Sequence, residues 1–413
     1  MNSVLDNLKK THKAASSIQR AEDEQIKNIL FNLADELMAS RKSILKANAK
    51  DLSKQSPHNP RNDRLMLNEQ RIKDIAESIR KVATLPDPTG KVLEHRILPN
   101  GLNLQKISVP LGVVGAIYES RPNVTFDIAA LCLRSRNACV LKGSSDAEHS
   151  NEEAVRIIKK VLLNNDIDPD VVTLLPVARE VVEELFTATK YIDVIIPRGS
   201  DSLIQYVRKN SLVPVIETGA GVCHVYVESE ADMIKAVNIV VNAKVSRPSV
   251  CNAADAILID RKVAGNFLIR LKPEFEKYNV EIFADNESYD LLNGYSHLSH
   301  AKAEDFGKEF LSLKCAVKVV EGIDEALDHI DTYSTKHSEA IVSENKDACN
   351  RFIREVDAAV VYTNASTRFT DGEEFGLGAE IGISTQKLHA RGPFALEKLV
   401  TEKWVIEGNG QIR

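Results

Sequence analysis

The stretch VPLGVVGAIYESRPNVTFDIAALCLRS, residues 109–135, decides the fold class because a short apolar run leads directly into a segment of helical composition. From Val109 to about Val227 the chain repeats this alternation, with the further apolar runs ACVLK, VVTLLP, DVIIP and VPVIE between helical stretches. Strands that alternate with helices in this way predict a mainly parallel sheet covered by helices. A second alternation, from Asp232 to Asn364, predicts a second α/β domain.

The segments outside these alternations follow other patterns. Apolar residues recur at helical spacing from Ser16 to Leu52 and predict an amphipathic helix. Residues 93–109 alternate apolar and polar side chains around Asn100-Gly101, a dipeptide that favours tight turns, and predict a β-hairpin. The C-terminal residues also alternate, so they are expected either to complete a small sheet or to pair with a partner subunit.

Size and charge limit the class of protein. A length of 413 residues is enough for two or three domains of ordinary size. The net charge of -6 provides no basic surplus for binding nucleic acid or an anionic membrane surface. The N-terminus lacks the apolar core of a signal peptide and no run is apolar enough to cross a membrane, so we expect a cytoplasmic protein.

The cysteines and histidines do not predict a structural site. The six cysteines are far apart and form no C-x-x-C pair, which is typical of reduced thiols rather than of a zinc site or a disulfide scaffold. His297 and His300 have no third ligand at metal spacing. We therefore expect no metal, and at most one or two cysteines with a chemical role.

Two turns that follow predicted strands are candidates for binding a nucleotide cofactor. Gly199 and Ser200 stand between a strand and a helix start, where backbone amides bind a pyrophosphate well, although an ordinary capped turn has the same sequence. Lys142, Ser144 and Ser145 follow another strand and offer a positive charge and hydroxyls without a carboxylate. This pattern favours the 2′-phosphate of NADP, and its alternative is a solvated helix cap.

Cys251 and Glu217 are the candidates for the chemical step. Cys251 lies in SRPSVCNA, residues 246–253, on a turn that Pro248 separates from the preceding segment. A thiol on such a turn faces a cleft, where backbone N–H groups favour the thiolate and support an oxyanion, whereas a buried cysteine acts only as a small apolar side chain. Glu217 ends a predicted strand and is either a general base or only a hydrogen-bond acceptor.

Several of these segments together have a recognisable pattern: VPLGVVGAIYESRPNVT, PRGSDSLI, CHVYVE, RPSVCNA and FGLGAEIGISTQKLHARGP. They resemble the aldehyde dehydrogenase superfamily, and within it the gamma-glutamyl phosphate reductase family, to which the last motif is specific. The similarity extends over nearly the whole chain. It implies an α/β fold of the aldehyde dehydrogenase type, with two α/β domains of mainly parallel sheets and a small β oligomerisation flap.

The resemblance implies a domain for each range of the chain. Residues 1–218 would form the NADP-binding domain, with the hairpin 93–109 in the oligomerisation flap. Residues 219–366 would form the catalytic domain that carries the cysteine. Residues 367–392 would return to the cofactor domain, and 393–413 would be the C-terminal oligomerisation segment.

The resemblance also implies roles for individual residues. The catalytic positions are Cys251 as nucleophile, Asn123 near the oxyanion asparagine, and Glu217 where hydrolytic members keep a general base. The cofactor positions are Lys142, Ser144, Ser145, Gly199, Ser200 and, for the nicotinamide ribose, Glu309. The candidates for binding the substrate's carboxylate or phosphate are Arg247, Arg121, His389 and Arg391, and for His389 and Arg391 packing is an equal alternative.

The chain departs from the family pattern at three positions. Ser249 and Arg136 stand where glycine is usual, and Lys142 stands where arginine is common. Ser249 is expected to crowd the turn that carries Cys251, which would affect the rate more than the type of reaction.

The reaction implied by the resemblance is NADPH-dependent reduction of L-glutamyl 5-phosphate to L-glutamate 5-semialdehyde with release of phosphate, the second step of proline biosynthesis. The expected partners are this small-molecule substrate and further copies of the chain in a homodimer or higher homo-oligomer. No kinase segment precedes residue 1, so the form fused to a kinase is not expected, and docking of a separate glutamate kinase stays open. Two alternatives stay open: a hydrolytic or CoA-acylating aldehyde dehydrogenase, and a catalytically silent member kept for assembly.

Overall fold

The computed structural model describes residues 3–56, 62–119 and 121–413. The helices of these residues are α1 Val4–Gln19, α2 Asp23–Ala39, α3 Arg41–Ser53, α4 Asn62–Leu65, α5 Glu69–Thr84, α6 Pro122–Arg134, α7 Glu148–Asn164, α8 Glu180–Thr187, α9 Asp201–Asn210, α10 Met233–Val245, α11 Ala264–Glu276, α12 Asn286–Leu291, α13 Ile323–Tyr333 and α14 Lys346–Glu355. The strands are β1 Val92–Ile97, β2 Asn103–Pro110, β3 Val113–Tyr118, β4 Ala138–Lys142, β5 Val172–Leu174, β6 Val194–Arg198, β7 Cys223–Val227, β8 Ala254–Asp260, β9 Glu281–Ala284, β10 Leu298–His300, β11 Lys314–Val320, β12 Ser338–Val342, β13 Val360–Thr363, β14 Glu380–Ser384, β15 Gly392–Ala395 and β16 Val400–Glu407.

The chain divides into two compact units. The first contains the described residues up to Thr218, together with Gly376–Gly382 and Phe394–Arg413. It has a four-stranded parallel sheet in the order β5-β4-β3-β6. Every residue of β3 and β4 is buried, because the strands of a parallel sheet are covered on both faces and therefore read as continuous apolar runs.

The first unit also contains a three-stranded antiparallel sheet, which we call the flap. β1 and β2 form the predicted hairpin, in which Gly101 has a φ of +85° at the turn. β16 pairs with the other edge of β2 along its whole length, from Val400 opposite Pro110 to Glu407 opposite Asn103. The C-terminal alternation therefore completes a small sheet within its own chain.

The second unit contains Gly219–Phe375 and Ile383–Pro393. Its seven strands are all parallel and follow the order β10-β9-β11-β8-β7-β12-β13. All residues of β7, β8 and β12 are buried, and α10 and α11 pack an apolar core against them. The prediction of two α/β domains with mainly parallel sheets is confirmed.

Two element predictions are wrong. The single helix predicted from Ser16 to Leu52 is three helices, α1 to α3, because apolar periodicity identifies the buried face but not where the chain turns. The run VPVIE forms only an isolated bridge, between Val215 and Ile195. Pro214 has no N–H to donate, and it only accepts a hydrogen bond from the Ile195 N–H at 2.8 Å.

The return of residues 367–392 to the cofactor domain stays a prediction, and the two compact units divide this range between them. Only Gly376–Gly382 belongs to the first unit. Side-chain contacts hold the flanking segments in the second unit: the Thr367 hydroxyl donates to the Asn252 carbonyl at 2.7 Å, and Lys387 forms an ion pair with Asp357 at 2.9 Å. No helix in the described part of the chain is long and apolar enough to span a membrane.

Candidate active site

The turn between β6 and α9 holds a carboxylate. The Ser200 backbone N–H donates to Glu119 Oε2 and its hydroxyl donates to Oε1, both at 2.9 Å. Gly199 permits this approach, since a Cβ at that position would lie 2.6 Å from Glu119 Oε2. The predicted preference of this turn for an anion is therefore visible, but the anion is a side chain that sequence reasoning missed, although Glu119 directly follows β3.

The turn after β4 has polar side chains, and only some of them form hydrogen bonds to the protein. Lys142 Nζ is almost buried and donates to the carbonyls of Gly143 at 3.1 Å and Val177 at 3.0 Å, and burial lowers the pKa of this lysine. Ser144 Oγ is buried and has no hydrogen-bond partner among residues 3–56, 62–119 and 121–413. Ser145 is exposed and begins the 3₁₀ turn Ser145–Ala147. An unpaired buried hydroxyl beside a lysine suits a polar ligand.

The start of α6 carries two of the predicted residues. Arg121 is the N-cap of the helix. The Asn123 side-chain amide donates to Asp127 Oδ2 at 2.9 Å, one turn further along the same helix. Burial raises the pKa of Asp127 to about 6. The amide expected to face an oxyanion is therefore bonded within its own helix.

Glu217 follows the isolated bridge near the end of the first unit. Arg208, near the end of α9, approaches its Oε1 with Nε at 3.1 Å. The Glu217 side chain is mostly buried while that of Arg208 is mostly exposed. This ion pair agrees with the interpretation of Glu217 as an acceptor.

The loop that carries Cys251 is held tightly against β7 and the turn before it. A Cβ on Gly221 would lie 1.5 Å from the Cys251 carbonyl oxygen, so the two backbones are in direct contact. The Cys223 thiol donates to the same oxygen at 3.2 Å. Burial raises the pKa of Cys223 well above its usual range, which keeps the thiol protonated as a donor. Gly221 and Cys223 were not predicted to act on Cys251.

A second set of contacts holds the residue that follows Cys251. The Asn252 side-chain amide donates to the carbonyls of Arg368 at 3.3 Å and Thr370 at 2.9 Å, and the Thr367 hydroxyl donates to the Asn252 carbonyl. The Arg368 guanidinium donates in turn to Asn252 Oδ1. Arg368 is more than a hundred positions away in the chain, and no local pattern in the sequence indicated it.

Two cationic residues precede Cys251 in the sequence, Lys244 and Arg247, and their surroundings differ. Arg247 is exposed on the loop. Lys244 is fully buried in α10 and forms an ion pair with Asp255 at 3.0 Å. Burial raises the pKa of Asp255, and the neighbouring lysine opposes that shift. Arg247 is therefore the cation of this segment that remains available to a ligand.

The other predicted residues of the second unit have protein partners. Glu309 Oε1 accepts the Gly221 backbone N–H at 2.9 Å. Arg391 forms an ion pair with Asp357 at 2.9 Å, beside Lys387 and Lys336 at the same distance, and the lysine contacts hold the pKa of Asp357 well below its usual range. His389 is exposed and has a φ of +61°.

The candidate residues are distributed over both units. Within the second unit, the structure brings Cys251 together with Arg247 on one loop, and brings Glu309 to the same glycine turn that contacts this loop. The partner that the structure gives Arg391 is Asp357. The first unit contains the other candidates: Arg121, Asn123, Lys142, Ser144, Ser145, Gly199, Ser200 and Glu217.

Comparison with known proteins gives one consistent result. The model of the aldehyde dehydrogenase family matches residues 2–290. The chain is 52% identical to the gamma-glutamyl phosphate reductase of Chlorobaculum parvum, over 99% of this chain and 98% of that protein, and 50% identical to that of Bacteroides thetaiotaomicron, over 99% and 100%. The crystal structure of gamma-glutamyl phosphate reductase from Thermotoga maritima is 40% identical and covers 100% of both chains with a TM-score of 0.97. The predicted fold type is confirmed.

Proposed function

Because the chain belongs to the aldehyde dehydrogenase family, we propose that it reduces L-glutamyl 5-phosphate to L-glutamate 5-semialdehyde with release of phosphate, the second step of proline biosynthesis. The observation that carries this proposal is the similarity to gamma-glutamyl phosphate reductases over the full length of the chain. We further propose that the enzyme uses NADPH and works in the cytoplasm as a homo-oligomer.

Cys251 is the proposed nucleophile. Its thiolate attacks the carbonyl carbon of the acyl phosphate, the bond to the phosphate oxygen breaks, and phosphate leaves with the electron pair, so a thioester forms on Cys251. The contacts from Gly221 and Cys223 support this role because they fix the backbone next to the reacting sulfur. The Cys251 backbone N–H is the proposed oxyanion donor. One N–H of the Asn123 side-chain amide donates to Asp127, and the other N–H is the proposed second donor.

The proposed cofactor is NADPH, which when bound supplies the hydride that reduces the thioester. The residues of two turns fit its phosphates. Ser144 has a buried hydroxyl without a partner, and with Lys142 and Ser145 it would hold the 2′-phosphate. Ser200 already donates its N–H and its hydroxyl to a carboxylate at the helix start, Gly199 leaves room for that group, and the two residues would hold the pyrophosphate. Equal use of NADH and NADPH by the purified protein would contradict this assignment.

Two residues of the second unit are also proposed to bind ligands. Glu309 would hold the nicotinamide ribose, and its bond to the Gly221 N–H places it next to the backbone that supports Cys251. Arg247 is the strongest candidate for binding the substrate anion because it is exposed on the loop of Cys251. Arg121 and His389 stay candidates for the same role. The ion pair of Arg391 with Asp357 favours the packing role.

The flap is the proposed oligomerisation surface. It is a small three-stranded sheet, and its outer strands leave large apolar side chains in solvent. Exposed apolar side chains that lie close together indicate an interaction surface. Val92, Ile97 and Ile406 are each more than half exposed, and Trp404 is 43% exposed between Arg96 and Lys106. A second copy of the chain would cover these side chains, and a homodimer is the smallest assembly that does so.

The alternative function on the same fold is a hydrolytic or CoA-acylating aldehyde dehydrogenase, for which Glu217 would be the general base. Its ion pair with Arg208 favours the role of an acceptor. Glu217→Gln should therefore lower phosphate-dependent turnover by only about tenfold, whereas loss of a true base costs about 10²–10⁴.

The deciding experiment measures NADP reduction by glutamate 5-semialdehyde with and without phosphate. A phosphorylating enzyme requires phosphate to release the acyl group from Cys251, so turnover should depend on phosphate. An equal rate without phosphate, abolished in Glu217→Gln, would establish the hydrolytic enzyme instead. No cofactor binding and no turnover in either condition would favour a catalytically silent protein.

A further inference from the structure

Arg368, in the 3₁₀ turn Thr367–Phe369, bridges the two ends of the loop that carries Cys251. Its Nη1 donates to Asn252 Oδ1, and its Nε donates to Ser246 Oγ at 3.2 Å. Ser246 ends α10 and Asn252 is the residue after Cys251, so both partners flank the nucleophile. The remaining nitrogen, Nη2, makes no hydrogen bond to any residue in the described ranges, and it is the one that a ligand can use.

Arg368 is close enough to Arg247 for their charges to interact. Burial, and after it the positive charge of Arg247, lowers the pKa of Arg368, while the negative charges of Asp371, Cys251 and Glu374 oppose the shift. Arg247 has no ion pair within the part of the chain that the structure describes. A half-buried guanidinium and an exposed one that repel each other favour a bound anion, and an anion with several oxygens suits their planar donors best.

We propose that Arg368 acts with Arg247 to bind the phosphoryl group of the acyl phosphate beside Cys251, an inference that rests on the proposed function. In L-glutamyl 5-phosphate the phosphate is bonded to the carbon that the thiolate attacks, whereas the α-carboxylate is at the other end of the molecule. The group next to Cys251 is therefore the phosphate. As the C–S bond forms and the C–O bond breaks, the guanidinium N–H groups stabilise the negative charge that collects on the leaving phosphate.

The same contacts give Arg368 a separate positioning effect on Asn252, and the experiment must distinguish the two. The first readout is the rate at which iodoacetamide alkylates Cys251 in the presence of increasing inorganic phosphate, which reports phosphate binding without turnover. The second is the KM for phosphate in NADP reduction by glutamate 5-semialdehyde. The variants are Arg368→Gln and, as the conservative change that keeps the charge, Arg368→Lys.

Arg368→Gln should weaken phosphate binding about ten- to a hundredfold in both readouts and leave the KM for the semialdehyde unchanged. Arg368→Lys should lose less affinity for phosphate than Arg368→Gln, because lysine keeps the positive charge. It should still bind phosphate more weakly than the wild type, because lysine lacks the planar pair of donors. Arg270→Gln is the matched control: Arg270 also bonds to an asparagine Oδ1, at 3.0 Å, but it is exposed on α11, and its removal should change nothing.

Two outcomes would overturn the proposal. A higher KM for the semialdehyde with unchanged phosphate binding would assign Arg368 to the carboxylate. A lower kcat with both phosphate constants unchanged, restored by Arg368→Lys, would make it a positioning residue only. If the wild-type protein shows no phosphate-dependent turnover, the proposed function fails, and the alkylation assay alone still decides whether Arg368 binds phosphate.

Discussion

Substitution of Gly221 by alanine tests whether direct backbone contact positions Cys251. An added Cβ would lie 1.5 Å from the Cys251 carbonyl oxygen, 2.5 Å from its carbonyl carbon and 3.0 Å from its Cα. A Cβ is essentially never found closer than 3.0 Å to a heavy atom to which it is not bonded, so the two backbones must separate by about 1.5 Å at this oxygen. Gly221 does not have a positive φ, so alanine is not strained by the backbone conformation itself.

The magnitude follows from this displacement. Misplacing a reacting group by about 1 Å lowers turnover by roughly a hundredfold. Overpacking a buried contact costs about 1–3 kcal/mol of unfolding free energy, which in a unit of this size lowers the Tm by roughly 2–12 °C. We therefore expect Gly221→Ala to fold, to melt several degrees lower, and to lose most of its phosphate-dependent turnover.

The assay compares steady-state turnover, Cys251 alkylation and thermal melting. Gly265→Ala in α11 is the control, because the atom nearest to its added Cβ is Leu291 Cδ2 at 4.0 Å. It should keep turnover and gain up to about 1 kcal/mol from helix propensity. Cys223→Ala, which removes only the thiol donor, should have a smaller effect than Gly221→Ala. Wild-type turnover and alkylation in a folded Gly221→Ala protein would refute the positioning argument.

Four further outcomes are expected. Cys251→Ser should abolish turnover and keep NADPH binding, and substantial turnover in the folded variant would remove Cys251 as the nucleophile. Glu119→Gln takes a negative charge away from the proposed pyrophosphate turn and should tighten NADPH binding by about two- to fivefold in a fluorescence titration. Glu180→Gln, at the exposed start of α8, is its control, and equal or weaker binding of the Glu119 variant would contradict the reasoning. Burial lowers the pKa of His329 from 6.5 to about 3. As the pH falls, the unfolded chain therefore binds a proton at this histidine before the folded chain does. The free energy of unfolding should decrease by about 2 kcal/mol between pH 6.5 and pH 5. His329→Phe should show a smaller loss of Tm between pH 7.5 and pH 5.5 than the wild type, and equal losses would exclude this cause. Ile97→Asp, at a β1 position that is 70% exposed, should weaken assembly in light scattering, and an unchanged molar mass would exclude the flap as the interface.

The elements that the sequence predicted well are those whose local pattern is sufficient. β3, β4 and β8 are buried on both faces, so a mostly apolar run between turns identifies them without knowledge of their neighbours. The hairpin of β1 and β2 was identified by alternation and by Asn100-Gly101. The breaks between α1, α2 and α3 were missed because the apolar spacing continues across them.

The same distinction applies to the residues of the candidate site, since only those with a local sequence pattern were predicted. Cys251 and the turn at Gly199 were identified because a single loop or turn contains their signal. Arg368 was missed because its relation to Cys251 depends on contacts with Ser246 and Asn252, which are distant in the sequence. The sequence shows that residue 221 is a glycine, but it does not show that the Cys251 carbonyl oxygen occupies the space where a Cβ would be.

The departures from the family pattern show how a residue other than glycine is accommodated. Arg136 has a φ of +56°, the left-handed region that favours glycine and costs other residues roughly 1–2 kcal/mol. Its guanidinium bonds to the Ala21 carbonyl at 3.1 Å and also to Asp87 and Thr89. Hydrogen bonds of a charged group contribute about 1.5–3 kcal/mol each, so these contacts offset the strain. Ser249 needs no such compensation, because it is exposed and does not adopt a positive φ, and we therefore do not expect it to crowd the Cys251 turn.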